Sequence, residues 1–259
     1  MKAFIRAIEY YLPERVLTNN ELSAQFPEWS VAKIAEKTGI MQRHIAADGE
    51  CVSDMAVAAG KKLFDSGVCS PSDIDFVLLC TQSPDYFLPT TACLVQDRLG
   101  ISQEAGALDY NLGCSGFVYG LSLAKGLVET GQARNVLLIT AEAYSKHIHP
   151  ADKSVRTIFG DAAAATLIQG REDGETPLMG PFVLGTDGRG APNLIVPCGG
   201  MRKRNATEAE SATRTERNLF MNGPEIFNFT LRVVPTCAKE LLAKAGVARA
   251  IPYDECVEK

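Results

Sequence analysis

Eight cysteines, three histidines and a single tryptophan are the side chains of this 259-residue chain with most to offer chemistry. Among them Cys114 stands apart by its neighbours. In Leu108-Asp-Tyr-Asn-Leu-Gly-Cys114-Ser-Gly-Phe-Val-Tyr-Gly-Leu121 a strand-like half ends at Gly113, and an apolar-periodic helix begins just after the cysteine. The thiol is thereby placed at a strand-to-helix turn between small residues. A helix N-terminus carries partial positive charge, which favours a thiolate and presents free N–H groups to a developing oxyanion. Those are the requirements of a covalent acyl-transfer nucleophile. The same spacing also fits a buried structural cysteine beside a packing glycine, because Cys is among the most buried residue types. Taken alone, the residues leave both readings open. No two cysteines stand at C-x-x-C spacing and no histidine lies at ligand spacing from a cysteine, so a metal site is not expected.

The elements that must position Cys114 are legible from hydrophobic period. Short apolar runs at 75–80, 135–140 and 163–168 suit strands buried on both faces. Helical patterns lie between them at 53–66, 90–99 and 115–130, each closed by a glycine, Gly67, Gly100 and Gly131. Strands alternating with helices imply an α/β fold. After Gly170 the texture changes to short strands at 182–185 and 193–196, a polar exposed loop over 201–216, and a helix from Pro224 that Pro235 kinks or splits. A boundary between 170 and 176 therefore separates a first half, 1–172, from a second, 173–259.

With 46% hydrophobic and 22% charged residues the chain can bury a sizeable core, and a net charge of −5 gives no footprint for a polyanion, so nucleic acid is not expected as a partner. No run of 18 apolar residues exists, and Lys2, Arg6 and Glu9 interrupt the N-terminal apolar positions. Neither a membrane span nor a signal peptide is expected, which points to a cytoplasmic protein with reduced thiols.

Five stretches together carry a family resemblance. They are Asn111-Leu-Gly-Cys114-Ser-Gly-Phe-Val-Tyr-Gly-Leu121, Tyr11-Leu-Pro-Glu-Arg-Val-Leu-Thr-Asn19, Lys37-Thr-Gly-Ile-Met-Gln-Arg-His-Ile45, Ile158-Phe-Gly-Asp-Ala-Ala-Ala164 and Phe220-Met-Asn-Gly-Pro-Glu-Ile-Phe227. In order and content they resemble the 3-oxoacyl-acyl-carrier-protein synthases III of the thiolase superfamily. The resemblance implies a thiolase-like αβαβα layered fold, normally a homodimer of chains with two similar halves. It implies an enzyme that moves an acyl group from coenzyme A to a cysteine, here Cys114. That acyl group is then condensed with malonyl-acyl-carrier protein as carbon dioxide leaves, which initiates fatty acid synthesis. Coenzyme A enters as substrate, and no resident cofactor is implied.

The resemblance also assigns residues. Trp29 and Lys37 match a stacking ring and a basic group at the adenine end of coenzyme A. Lys153 matches a phosphate-contacting position, with Arg43 and Arg156 as second candidates. Leu88 matches the residue that reaches across a dimer to floor the partner's acyl pocket, and Met221 and Phe227 match pocket walls. Without the resemblance Trp29 reads as a core aromatic, the basic residues as solvated charge and the apolar ones as core. Asp161 matches a structural position rather than a catalyst.

The family stabilises the condensation enolate with a His and an Asn. The His belongs to a His-Gln-Ala-Asn motif expected soon after Gly246, where this sequence reads Val247-Ala-Arg-Ala-Ile-Pro-Tyr-Asp-Glu-Cys-Val-Glu-Lys259. The expectation is therefore an incomplete second half with doubtful condensation. Two alternatives follow: a related acyltransferase or long-chain condensing enzyme of the same fold, and a catalytically silent fragment or interaction subunit.

Overall fold

Apolar residues in alternation build the sheet on which everything else rests. In the computed structural model, which describes residues 1–172, 179–206 and 214–247, strand β1 spans Lys2–Tyr11, and a short hairpin pairs β2 (Arg15–Thr18) with β3 (Gln42–Ile45). Between the hairpin strands lie helices α1 (Asn19–Gln25) and α2 (Val31–Thr38). Then come α3 (Val52–Asp65), β4 (Phe76–Cys80), α4 (Thr91–Arg98), β5 (Gly106–Tyr110), α5 (Gly116–Glu129), β6 (Asn135–Glu142), a short α6 (Lys153–Arg156) and β7 (Ala162–Arg171).

The five-stranded sheet has the order β1-β7-β6-β4-β5. Strands β4, β5 and β6 are parallel, and β7 runs antiparallel to both β6 and β1. Leu137, Ile139, Val77, Leu79, Ala165 and Leu167 point to one face, where Met55, Ala56, Ala59 and Leu63 of α3 and Val95 of α4 close over them. Leu138 points to the other face, against Gly120 of α5. Period-two alternation covered on both faces is why these runs read as continuously apolar. A smaller cluster of Leu17, Leu22, Phe26, Ile34 and Ile45 holds the hairpin and its two helices.

Because β4, β5 and β6 are parallel, their C-terminal ends, Cys80, Tyr110 and Glu142, emerge at one edge of the sheet. The β6–β7 register sets Ala162 beside Glu142 and brings the 143–161 connection to that edge as well. The carboxyl ends of parallel strands are where open α/β sheets assemble their sites.

The chain divides into two compact units, Met1–Met179 with Glu210–Thr215, and Gly180–Ala209 with Glu216–Lys259. In the second, β8 (Leu194–Ile195) pairs antiparallel with β9 (Phe220–Met221), and α7 (Gly223–Lys244) follows. Asn222 caps α7, its side chain accepting from the Glu225 N–H, and Pro224 sits in the first turn, where a missing N–H costs nothing.

Three expectations change on this frame. The predicted strand at 182–185 is not a strand, since among the described residues it has no ladder partner. The strand at 193–196 shrinks to two residues. Pro235 does not split α7, which runs unbroken for 22 residues because one missing N–H leaves its other hydrogen bonds in place. Strand β1 was hidden in the sequence by Lys2, Arg6 and Glu9. As an edge strand with a register shift between Ile5 and Ala7 it tolerates polar residues that a central strand would not. The tail after 247 and the middle of the polar loop, 207–213, lie outside the described residues.

Candidate active site

Cys114 occupies the turn between β5 and α5 and is exposed. Tight contacts on the inner side of the turn explain its small residues. A Cβ on Gly116 would stand 2.2 Å from the Cys80 Sγ, one on Gly120 would stand 2.2 Å from the Tyr110 hydroxyl, and one on Gly113 would stand 2.8 Å from Gln82 Oε1. Cys80 Sγ donates to the Leu112 carbonyl at 3.0 Å, and the Tyr110 O–H donates to the Gly116 carbonyl at 2.9 Å. Both side chains rise from the sheet to grip the turn on either side of Cys114, and burial pushes both of their pKa values up. Ser115, the N-cap of α5, makes no side-chain cap bond, and the Gly116 N–H is held by the Gly113 carbonyl at 2.8 Å. A helix N-terminus leaves its first-turn N–H groups without intrahelical partners, and groups of that kind can receive the charge of a developing oxyanion.

Beside this turn lies a buried network that the sequence reading missed. Glu142, at the end of β6, accepts from the Gln82 N–H at 2.7 Å and from Ser83 Oγ at 2.8 Å. Ser83 Oγ in turn accepts from the Ala143 N–H at 2.9 Å. Burial pushes the Glu142 carboxyl up to about 7; the bonds from Ser83 and Gln82 oppose that shift and the charge of Asp161 adds to it. Tyr144 packs on Phe159 at 4.9 Å between ring centroids. Burial raises its pKa to about 12, with the charges of Glu142 and Cys114 contributing. Asp161 is structural: its carboxylate accepts from the Ala46 N–H, the Ser145 N–H and Ser145 Oγ at 2.5 to 2.8 Å. Gly160 lies flush on the hairpin, where a Cβ would come 3.0 Å from Arg43 Cβ.

The structure brings Trp29 and Lys153 together. Trp29 packs half-buried on the small cluster of the hairpin, with the ammonium groups of Lys33 and Lys153 at 5.5 and 5.9 Å from its ring centroid. Lys153 also pairs with Glu28 at 2.5 Å, and Gln25 Nε2 donates to the Pro150 carbonyl at 2.7 Å, which docks α1 against the 143–161 connection. Lys33 was not anticipated; its position one turn after Trp29 was the available signal. Lys37 is exposed in the last turn of α2.

The arginines lie deeper. Arg43 is 3% exposed, and its guanidinium donates to the Thr157 carbonyl through Nε at 3.1 Å and through Nη2, and to Asn19 through Nη1. A phosphate contact does not fit this arrangement: Arg43 ties the hairpin to the end of α6, because a buried charge requires hydrogen-bonded partners. Arg156 is half-buried, and desolvation holds its pKa below the ordinary value. Leu88 is 81% exposed beside the exposed Tyr86 and Phe87. In the second unit Met221 lies half-buried on β9 and Phe227 is exposed on α7.

The family model for 3-oxoacyl-[acyl-carrier-protein] synthase III matches residues 108–188, a segment that spans Cys114 and the Phe-Gly-Asp turn. The beta-ketoacyl-[acyl-carrier-protein] synthase III of Caldanaerobacter subterraneus is 38% identical over 240 residues, which is 92% of this chain and 70% of that protein. A Streptomyces coelicolor relative of the same name is also 38% identical, over 91% of this chain and 69% of its own length. Among solved structures, a 3-oxoacyl-(acyl-carrier-protein) synthase III superposes with a TM-score of 0.90 at 55% identity, covering 95% of this chain and 75% of that one. The Thermus thermophilus synthase III gives 0.81 at 37%, covering 94% and 72%. Identity at this level along nine-tenths of the sequence, through the strands that end at Cys114 and the turn that carries it, makes this chain a member of the 3-oxoacyl-acyl-carrier-protein synthase III family.

Proposed function

We propose that the protein takes an acyl group from acyl-coenzyme A onto Cys114 and condenses it with malonyl-acyl-carrier protein, initiating fatty acid synthesis. The observation that carries this reading is the exposed Cys114 on a turn clamped from below, immediately before the N-cap of a 14-residue helix with no side-chain cap. In the first step the Cys114 thiolate attacks the thioester carbonyl. A carbon–sulfur bond forms to Cys114, the one to coenzyme A breaks, and coenzyme A leaves as a thiol after taking up a proton. One thioester replaces another, so the step is close to balanced, and the covalent intermediate divides the reaction into two smaller barriers. In the second, decarboxylation of the malonyl group yields an enolate that attacks the acyl carbonyl, and the Cys114 thiolate departs.

Trp29, Lys33 and Lys153 suit the nucleotide end of coenzyme A: a half-buried ring for the adenine, with two ammonium groups for phosphate. Lys37 and Arg156 are assigned supporting positive charge. Leu88, on its exposed loop, is assigned to the acyl pocket of a second copy in a homodimer, and Met221 and Phe227 to the pocket wall. Residues 1–172 form the nucleophile half and 173–259 belong to the second half. Among the described residues no helix is long and apolar enough to cross a membrane, and the reading places the enzyme in the cytoplasm. Each histidine has a ring nitrogen engaged: His44 Nδ1 with the Pro13 carbonyl, His149 Nδ1 with the Ala151 N–H, and His147 with the Gln82 backbone. None of the three is assigned to the enolate, so acyl transfer is the half-reaction these side chains support most directly.

The test is incubation of the purified chain with labelled acetyl-coenzyme A, mass measurement of the Cys114 peptide, and a chase with malonyl-acyl-carrier protein. Label on Cys114 that is discharged as a 3-ketoacyl product supports the full reading. Label that is never discharged favours a plain acyltransferase, and label on another residue, or none, overturns the assignment.

A further inference from the structure

The loops that follow β4, β5 and β6 are joined by one residue, Gln82, which nothing in its local sequence singles out. Its N–H donates to Glu142 at the end of β6. Its side-chain Nε2 donates to Asn111 Oδ1 at 3.2 Å, at the start of the Cys114 turn. Its Oε1 accepts from the Tyr144 hydroxyl at 3.2 Å, and its backbone is engaged by the His147 ring. The same Oε1 presses against Gly113, the residue before the nucleophile. We propose that Gln82, held in place by Glu142, is a positioning residue for Cys114: its amide bridges the nucleophile turn to the 143–147 loop and sets the direction in which the thiol meets the acyl carbonyl. The proposal rests on Cys114 being the acyl acceptor.

The chemistry of the bridge is specific to an amide. With Nε2 toward Asn111 and Oε1 toward Tyr144, one planar group supplies a donor and an acceptor at opposite ends. A carboxylate would face Asn111 Oδ1 with a second acceptor and set negative charge beside a reacting thiolate, and an apolar side chain of the same length would leave both partners without it. Glu142 holds the Gln82 backbone most firmly as a carboxylate, when both oxygens accept. The groups facing it are Asp161, Ser83, the Gln82 N–H and Tyr144, with Cys114 acting on Tyr144 in turn.

The test compares Gln82→Met and Gln82→Glu with wild type in single-turnover acylation by acetyl-coenzyme A, beside alkylation by iodoacetamide and thermal melts. Gln82→Met is expected to acylate about 10-fold more slowly at saturating substrate, since small misplacements of a reacting group cost rate steeply. Its apparent affinity for acetyl-coenzyme A and its alkylation rate should stay within about 2-fold, because iodoacetamide needs access and not one orientation. Gln82→Glu is expected to be slower still. Unchanged acylation in Gln82→Met overturns the proposal, as does a loss shared equally by alkylation. If Gln82→Met does not fold, Tyr144→Phe removes the bond to the Gln82 amide and Glu142→Ala removes the acceptor of its N–H. Slowed acylation with unchanged affinity in either supports the proposal, and unchanged acylation in both overturns it. A Cys114→Ser variant run in parallel separates the two failures, since label retained there refutes the nucleophile assignment itself.

Discussion

Around Cys114 the neighbours are in hard contact: Cys80 Sγ under Gly116, the Tyr110 hydroxyl under Gly120 and Gln82 against Gly113 leave no room for a methyl group. Around Trp29 the contacts are open: Lys33 and Lys153 approach the ring from solvent, and the Lys153–Glu28 pair is 42% and 54% exposed. The first region is held by the sheet, the second by a small cluster of the hairpin and by charge. A reacting atom must be held to a fraction of an ångström, whereas a nucleotide can be recognised by a face and a field. The two regions should therefore respond differently to mutation, to pH and to salt.

The largest difference is expected from Cys114→Ser, which should lower acylation by at least about 10³-fold, as loss of a catalytic nucleophile does, while leaving the melting temperature almost unchanged. Intact-protein mass after incubation with acetyl-coenzyme A reads this directly. Next in size is Gly116→Ala, in which the new methyl group meets Cys80 Sγ. Overpacking of this kind costs about 1–3 kcal/mol, and denaturant unfolding should show it together with slower acylation. An equivalent loss is not expected from Gly126→Ala on the same helix, where the added atom meets nothing within 4 Å.

The pH response should also belong to the buried region. Raised from 4.5 to about 7, Glu142 keeps a proton in the folded chain that the unfolded chain has released. Between those two pH values its contribution to stability falls as pH rises, and above about 7 the penalty is complete, at most on the order of 3 kcal/mol. The difference in unfolding free energy between wild type and Glu142→Gln, measured from pH 4 to 8, should follow that window. A difference that stays flat would show that Glu142 titrates normally.

Smaller effects are expected at the open region. Trp29→Ala should raise KM for the coenzyme A thioester about 10-fold with little change in kcat, in line with about 1–3 kcal/mol for stacking a base. Lys153→Ala should cost less than about 1 kcal/mol of binding and should lose its effect at high salt, since exposed charges are screened beyond about 10 Å at 0.1 M. A Lys153→Ala defect that survives 0.5 M salt would place Lys153 in a drier contact than the structure indicates.

Much of the first unit could be read from the residues. The runs at 75–80 and 135–140 became β4 and β6, and the pattern from 115 to 130 became α5, because an unbroken apolar run reports a strand covered on both faces and a helical period reports one buried helix face. The second unit was less legible. Its strands are two residues long, too short for a period of two to register, whereas the helix read from Pro224 became α7.

By itself the sequence determined the position of Cys114 at a strand-to-helix turn, its small neighbours, and the motifs that identify the family. These are local facts, encoded within about a dozen residues. The tertiary structure alone decided that Gln82 bridges Asn111, Tyr144 and Glu142, that Lys153 sits over Trp29, and that Arg43 is an interior brace instead of a phosphate ligand. The physical reason is strand order: β4 lies between β5 and β6, so loops about 30 to 60 residues apart in sequence emerge at one edge. Local hydrophobic period does not specify which strands will be neighbours, and the side chains that meet across those loops follow from that choice.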